Sequence, residues 1–160
     1  MAIKVKELMT KEFMTLSPED KVDRAIYLFH YEKVHHLPVV SKTGRLEGIV
    51  ANHDLKKVEG IPKLKVHESQ DGTKQIVSAK KIRNVMRRNP YTIEPDEYAD
   101  VAAALMVNER IGALPVVYKD ELVGIITSTH VLQAFVNLCK IVEPLDEIIA
   151  KLNKKSTAPV

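Results

Sequence analysis

The chain has 160 residues, 45% of them hydrophobic, with 24 basic and 21 acidic side chains and a formal net charge of +3. That length suits one compact domain or two small interlocked ones, and the mixed charges argue against the concentrated basic face of a nucleic-acid-binding protein. With one cysteine, Cys139, no intrachain disulfide can form. Residues 1–20 contain no apolar signal run and no apolar run approaches membrane-spanning length, so we expect a cytoplasmic protein.

The first 57 residues predict the order strand, helix, strand, strand, helix. Residues 5–9 suit a short amphipathic turn, and residues 13–16 suit a brief strand. Ser17 and Pro18, followed by two carboxylates, predict a helix start. The apolar positions of that helix recur at helical spacing: Val22, Ala25, Ile26, Leu28 and Phe29. Residues 37–40 and 46–51 predict a hairpin, and Asn52 can cap a second helix.

Residues 57–81 follow a different pattern from the rest of the chain. Asp71-Gly72, between Val66 and the apolar pair at 76–77, predicts a small hairpin. The segment is longer than most connections between elements. We interpret it either as a surface linker or as a flap beside a cleft.

The remaining residues repeat the first order of elements. Residues 91–93 predict a strand, and Pro95 with two following carboxylates predicts a helix start. Its apolar positions are Val101, Ala102, Leu105 and Met106. Residues 113–117 and 122–127 predict a hairpin, followed by a helix from near Ser128. We expect Pro144 to break that helix, residues 145–152 to restart it, and residues 153–160 to fray.

The two halves are copies of one unit. TLSP at residues 15–18 returns as TIEP at 92–95, and LPVV at 37–40 returns at 114–117, both 77 positions later. LEGIV at 46–50 returns as LVGII at 122–126, 76 positions later. Such register indicates the same supersecondary unit built twice. A unit of about 55 residues is marginally stable alone, so we expect a shared core with clefts where the copies meet.

The ordered motif set, found twice, resembles the CBS motif, named for cystathionine beta-synthase. It includes HHLPVV at 35–40 with GIV at 48–50, and GALPVV at 112–117 with GIIT at 124–127. The resemblance covers nearly the whole chain. It implies an α/β (α+β) fold of two pseudo-symmetric βαββα repeats packed through their sheets, at residues 1–57 and 81–143. Residues 58–80 form the linker or flap and residues 144–160 a C-terminal helix and tail, within one stand-alone module.

The resemblance also implies an adenosine-containing ligand in each cleft. In the family the hairpin ends with Gly-apolar-apolar-[Ser/Thr]-x-x-Asp, in which the hydroxyl meets ribose or phosphate and the carboxylate accepts the ribose diol. The first copy, GIVANHD at 48–54, has the aspartate without the hydroxyl; the second, GIITSTH at 124–130, has hydroxyls without the aspartate. One expected site comprises Asp54, Ala51, Asn52, Pro90, Tyr91, Thr92, Gly112 and Ala113. The other comprises Thr127, Ser128, His130, Thr10, Phe13, Met14, Thr15 and His36.

The two expected sites differ in charge. An ionised Asp54 can accept both diol hydroxyls, although it could instead only cap a helix. Because a carboxylate repels phosphate, we expect this cleft to tolerate uncharged adenosyl ligands. His35 and His36 stand where the family often places a cation near phosphate, so the other cleft should bind phosphate more tightly as pH falls from about 7.5 to 6. Alternatively, these histidines are a solvated strand entry. A metal site of His35, His36 and His130 is disfavoured, since adjacent strand residues point to opposite faces.

No catalytic constellation emerges, because Cys139 has apolar neighbours and Ser128 with His130 lacks a third partner. We therefore expect a non-enzymatic, ligand-sensing regulatory module. Its ligand would be AMP, ADP, ATP or S-adenosylmethionine, and its partner an effector protein. We also expect a homodimer formed by these helix residues: Ile26, Leu28, Phe29, Leu105 and Met106. The alternatives are a ligand-free dimerisation scaffold and nucleic-acid binding through the basic residues 80–88.

Overall fold

The computed structural model describes residues 2–55, 67–68, 74–75 and 80–142. Helices and strands are mixed, which confirms the α+β fold class. The helices are α1 (Val5–Leu8), α2 (Val22–Tyr31), α3 (Asn52–Leu55), α4 (Ala99–Asn108) and α5 (Ser128–Val142), with a 3₁₀ turn at Ile82–Asn84. The strands are β1 (His36–Val40), β2 (Leu46–Ala51), β3 (His67–Glu68), β4 (Lys74–Gln75), β5 (Arg87–Arg88), β6 (Ala113–Tyr118) and β7 (Glu121–Thr127).

Both predicted hairpins are confirmed, and they have the same construction. β1 pairs antiparallel with β2, and β6 pairs antiparallel with β7. The register shifts at equivalent places, between Val39 and Val40 in the first hairpin and between Val116 and Val117 in the second. The buried runs of β1 and β6 explain why LPVV occurs twice, since each run forms the centre of a core.

The predicted helix starts at Pro18 and Pro95 are wrong, because α2 and α4 begin at Val22 and Ala99. Residues 17–20 form a turn instead, in which the Ser17 N–H donates to the Asp20 carboxylate at 2.8 Å. Lys21 is then extended (φ −76°, ψ 150°) and bridges to Lys81 of the second copy. Helix α2 therefore begins only after the residue that pairs with the second copy, Lys21.

The opening segments of the two copies are exchanged. The Ile82 N–H donates to the Asp20 carbonyl at 2.9 Å, and the Val5 N–H donates to the Glu97 carbonyl at 2.9 Å. Val5 is consequently buried in the core of the second copy, and Ile82 in the core of the first. Full burial of such side chains contributes about 1.5–3 kcal/mol each. Each copy thus needs the other to complete its core, which is the physical form of the predicted sharing.

Backbone pairing also crosses between the copies. β2 pairs with β5, with Gly48 opposite Arg88, and Thr10 exchanges two hydrogen bonds with Ile125 of β7 at 3.0 and 3.1 Å. A Cβ on Gly48 would lie 2.9 Å from the Arg87 carbonyl oxygen, and one on Gly124 would lie 3.0 Å from that of Thr10. Glycine is required at both positions because the neighbouring backbone approaches so closely.

The segment between the copies contains the predicted strand pair. β3 pairs antiparallel with β4, with His67 opposite Gln75. The predicted turn at Asp71-Gly72 lies outside the described residues, as do Pro144, the expected restart over 145–152 and the tail at 153–160.

Candidate functional site

Asp54 lies in the short helix α3, directly after β2, at the boundary between the copies. Its Oδ1 is 3.2 Å from His53 Nε2, and its Oδ2 accepts a hydrogen bond from Arg87 Nη2 at 3.4 Å. The side chain is 28% exposed. Both of these contacts are with side chains, and the residues after Leu55, whose N–H groups a capping carboxylate would reach, lie outside the described residues.

Arg87 is a cleft residue that sequence reasoning missed. The pairing of Ile49 with Arg87 brings β5 of the second copy alongside β2, and the guanidinium then reaches Asp54. The adjacent Arg88 contacts the backbone carbonyl of Arg83 at 3.5 Å, because successive strand residues point to opposite faces. The repeat could have indicated Arg87, because it occupies the position equivalent to Thr10, which was expected in the other cleft.

The residues expected beside Asp54 after β5 make contacts within the second copy. The backbone of Asn89 is left-handed (φ 48°), a conformation that asparagine tolerates. A hydrogen bond to the Glu109 carboxylate raises the pKa of the exposed Tyr91 hydroxyl. Thr92 lines an outer groove with Glu94, and Pro90 is partly buried. Their participation in a ligand site with Asp54 stays a prediction.

The ends of the two hairpins meet at His36. A Cβ on Gly112 would lie 3.1 Å from His36 Cε1 and 3.9 Å from the Ser128 hydroxyl oxygen. The Ser128 N–H donates to the Gly112 carbonyl at 3.0 Å, and Asn52 makes the equivalent bond to His35 at 3.0 Å. Ala113 and Ala51 are buried just behind these contacts, in the strands. His36 was expected in one cleft and Gly112 in the other, but the two residues are neighbours.

The electrostatics of His36 change its expected behaviour. Burial, followed by the nearby His53 and His35, lowers the pKa of His36 to about 4, whereas Asp54 acts in the opposite direction. The imidazole is therefore neutral between pH 6 and 7.5. The expectation that phosphate binding through His36 strengthens in that interval is therefore wrong, because His36 becomes charged only in more acidic solution.

Thr127 and His130 bind each other at the start of α5. The Thr127 N–H donates to His130 Nδ1 at 3.2 Å, and the His130 N–H donates to the Thr127 hydroxyl at 3.4 Å. This is a capping box in which imidazole replaces the usual glutamate. It requires an unprotonated Nδ1, and burial lowers the pKa of His130 accordingly. The spacing Thr-x-x-His could have revealed this structural role from the sequence.

The remaining residues expected near Thr127 belong to the segment between α1 and α2, where isolated bridges at Thr10 and Leu16 take the place of the strand predicted for residues 13–16. The Thr10 hydroxyl donates to the Glu12 carbonyl at 3.0 Å while its backbone pairs with β7. Phe13 and Thr15 are partly buried, and Met14 is 39% exposed. This cleft therefore has an engaged neutral hydroxyl at the position where the Asp54 cleft has a guanidinium.

Within residues 2–55 and 80–142 and the short strands β3 and β4, no helix is long and apolar enough to cross a membrane. Over the same residues, no three or more His, Cys, Asp or Glu side chains are grouped so that they could hold a metal ion.

Comparison with known proteins identifies relatives along most of the chain. The model of the CBS domain matches residues 5–60 and again residues 82–137. A CBS domain-containing protein of Dictyostelium discoideum is 32% identical over 146 residues, which are 91% of this chain and 97% of that protein. A homoserine O-acetyltransferase of Methanococcoides burtonii is 33% identical over 128 residues, which are 79% of this chain but 23% of that enzyme.

Solved structures share the fold. The CBS domain pair of protein MJ0100, in complex with 5′-methylthioadenosine and S-adenosyl-L-methionine, is 27% identical with a TM-score of 0.70. The match covers 86% of this chain and 98% of that one. CBSX2, in complex with AMP, is 24% identical with a TM-score of 0.70, covering 85% of this chain and 98% of that one. At 24% identity the likeness to CBSX2 supports the fold alone.

Proposed function

The chain belongs to the CBS domain family, carrying the domain twice, and we propose that it is a regulatory module, not an enzyme, that binds an adenine nucleotide or another adenosyl compound between its copies. The observation that carries this proposal is the Asp54 carboxylate, partly buried at the copy boundary beside His53 and Arg87. The adenosyl ligands of the related MJ0100 pair support the ligand class.

The role of Asp54 follows from its hydrogen-bonding capacity. Its two oxygens now face side chains at 3.2 and 3.4 Å, distances long enough for stronger acceptor interactions to replace them. Two diol hydroxyls can donate one hydrogen bond to each oxygen. Bonds to a charged group contribute about 1.5–3 kcal/mol each, so the loss of the carboxylate should weaken binding strongly.

The two clefts should be unequal. Thr127 and His130 already satisfy each other in the capping box, so a ligand would have to compete with a helix cap worth about 1 kcal/mol. Ser128 and His36 remain candidates there. We therefore place the principal ligand in the Asp54 cleft and a weaker one in the Thr127 cleft.

Ligand binding would affect a partner by changing how the two copies, which are joined by their exchanged opening segments, are held together. A ligand that joins α3 to β5 joins the copies, and it should favour the conformation in which they are closed. We also propose that the partner is an effector protein and that the module works in the cytoplasm. The single cysteine, Cys139, suits a reducing compartment.

The proposed homodimer needs a different face from the one expected. Phe29 and Met106 are buried within the cores, and Leu105 packs against one of them. Exposed apolar side chains occur on α4, at Val107, and in a group on α5, where Leu132 and Phe135 are each 62% exposed. We assign the dimer interface to the α5 face: Leu132, Phe135 and Leu138.

The basic segment is less suited to nucleic acid than its sequence indicates. Lys81 and Arg83 both form ion pairs with Glu19, and Arg87 pairs with Asp54. These carboxylates offset much of the positive charge that a phosphate backbone would need. The ligand-free scaffold remains the alternative that the following experiment decides.

Calorimetric titration of the wild type, Asp54→Ala and Glu47→Ala with AMP, ATP, S-adenosylmethionine and 5′-methylthioadenosine tests the function. Glu47 is a matched control, since it is an exposed carboxylate on the strand that leads to Asp54. We expect Asp54→Ala to weaken the best ligand at least about tenfold and Glu47→Ala to leave it unchanged. Unchanged affinity in a folded Asp54→Ala variant would contradict the diol assignment. Absence of binding to the wild type would favour the scaffold.

A further inference from the structure

The ion pair between Arg87 and Asp54 connects the proposed ribose acceptor to a cation. The guanidinium comes from the second copy and the carboxylate from the first, so the contact spans the cleft at 3.4 Å. The Arg87 side chain is 53% exposed, and it can therefore leave Asp54 without disturbing a packed core. In this structure the Asp54 carboxylate is thus paired with a solvent-exposed guanidinium.

We propose that Arg87 makes the Asp54 cleft selective for adenosine compounds that carry a 5′-phosphate over those that are uncharged. This inference rests on the proposed function of the cleft. A ribose diol that binds Asp54 displaces Arg87 and leaves its guanidinium without an anionic partner. A phosphate restores one, because its oxygens match the paired N–H donors of arginine. Adenosine and 5′-methylthioadenosine offer no such group.

The charges around the cleft support this assignment. Asp54 by itself would repel phosphate, but Arg87 offsets its charge from within hydrogen-bonding distance. In the other cleft the equivalent of Arg87 is Thr10, whose hydroxyl donates to the Glu12 carbonyl, and the equivalent of Asp54 is His130, which is engaged in the helix cap. The preferences expected from the sequence are therefore reversed, with phosphate bound in the cleft that has the carboxylate.

Arg88 is a natural control for Arg87. It is the next residue of β5, has the same charge and is also exposed, but it contacts the Arg83 carbonyl and lines a different groove with Ser17 and Lys42. Removal of either arginine changes the net charge of the protein equally. Only Arg87 contacts Asp54 among these two, so a specific effect can be separated from a general electrostatic one.

The test is calorimetric titration of AMP, adenosine and 5′-methylthioadenosine into wild type, Arg87→Gln and Arg88→Gln. We expect the wild type to bind AMP at least about tenfold more tightly than either uncharged compound. Arg87→Gln should lose most of that ratio, with AMP weakened and adenosine unchanged or tighter, whereas Arg88→Gln should keep it. If Arg87→Gln does not fold, Arg87→Met takes its place under the same criteria.

The outcomes separate the inference from the function beneath it. Binding of all three compounds without a wild-type preference for AMP overturns the inference and leaves the proposed function standing. A preference that survives in the Arg87 variant, or that Arg88→Gln removes equally, also overturns it. If the wild type binds none of these compounds, nor ATP or S-adenosylmethionine, the proposed function fails and the inference fails with it.

Discussion

Acid should destabilise this protein through His36, and replacement of that residue should remove the effect. His36 is packed where the hairpins meet, against Gly112, with His35, His53 and Asp54 as the charged or titratable groups that influence it. Its pKa falls from the usual 6.5 to about 4, chiefly through burial. The unfolded chain therefore binds a proton on His36 below about pH 6.5, but the folded chain binds it only near pH 4.

The sign and size of the effect follow from that difference. Between pH 6.5 and 4 the unfolded state holds more protons on His36, so the free energy of unfolding decreases as pH falls. A shift from 6.5 to about 4 corresponds to at most about 3–4 kcal/mol. Because His36 keeps some contact with solvent, which screens its charge, we expect about 1–2 kcal/mol to be lost between pH 7.5 and 4.5.

Urea unfolding at several pH values between 7.5 and 4.5 measures this loss. The wild type should lose more stability than His36→Gln, and the difference between them should develop below pH 6.5. His30→Gln is the matched control, since His30 is an exposed histidine on α2. Parallel pH profiles for the wild type and His36→Gln, or a titration of the His36 ring protons by NMR with a pKa near 6.5, would refute the reasoning.

Two further predictions concern the contacts between copies and between chains. Gly124→Ala would put a Cβ 2.7 Å from Met9 Sδ and 3.0 Å from the Thr10 carbonyl oxygen, so we expect a loss of about 1–3 kcal/mol and a Tm lower by several degrees in a thermal melt; an unchanged Tm would contradict the close approach of the two copies. Phe135→Asp should convert the proposed homodimer to a monomer in sedimentation at micromolar concentration, whereas Tyr118→Asp, at an exposed site on β6, should not. A dimer that survives Phe135→Asp would exclude the α5 interface.

The secondary structure could be predicted where it depended on short-range pattern. The repeats of LPVV and of the following Gly-apolar-apolar run predicted both hairpins, because a short apolar run bounded by turn residues is a pattern of neighbouring residues. Pro18 and Pro95 misled the prediction of helix starts. A proline followed by carboxylates suits a turn as well as a first helical turn, and only the pairings of Lys21 with Lys81 and of Lys4 with Tyr98 decide between them.

The position of the candidate site could be predicted in part for the same reason, whereas ligand binding by its residues stays a prediction. Asp54 could be identified by its position after the hairpin, and the crossing of each hairpin end to the opposite copy agrees with the pairing of β2 with β5. Composition does not distinguish Arg87 from the adjacent Arg88, and only the equivalence of Arg87 to Thr10 in the repeat pointed to the cleft. Thr127 and His130 bind each other in a local helix cap, and their participation in a ligand site stays a prediction.

The repeated supersecondary unit, its duplication and the apolar core residues of each hairpin could be predicted from the sequence alone, since these depend on apolar patterns a few residues long. The tertiary structure alone decided which copy receives Val5 and Ile82, which cation faces Asp54, and whether His36 carries a charge at neutral pH. Those properties arise from groups that lie far apart along the chain and meet only when it folds. The free energy of a charge or a buried side chain depends on all its neighbours, and local sequence specifies only the nearest of them.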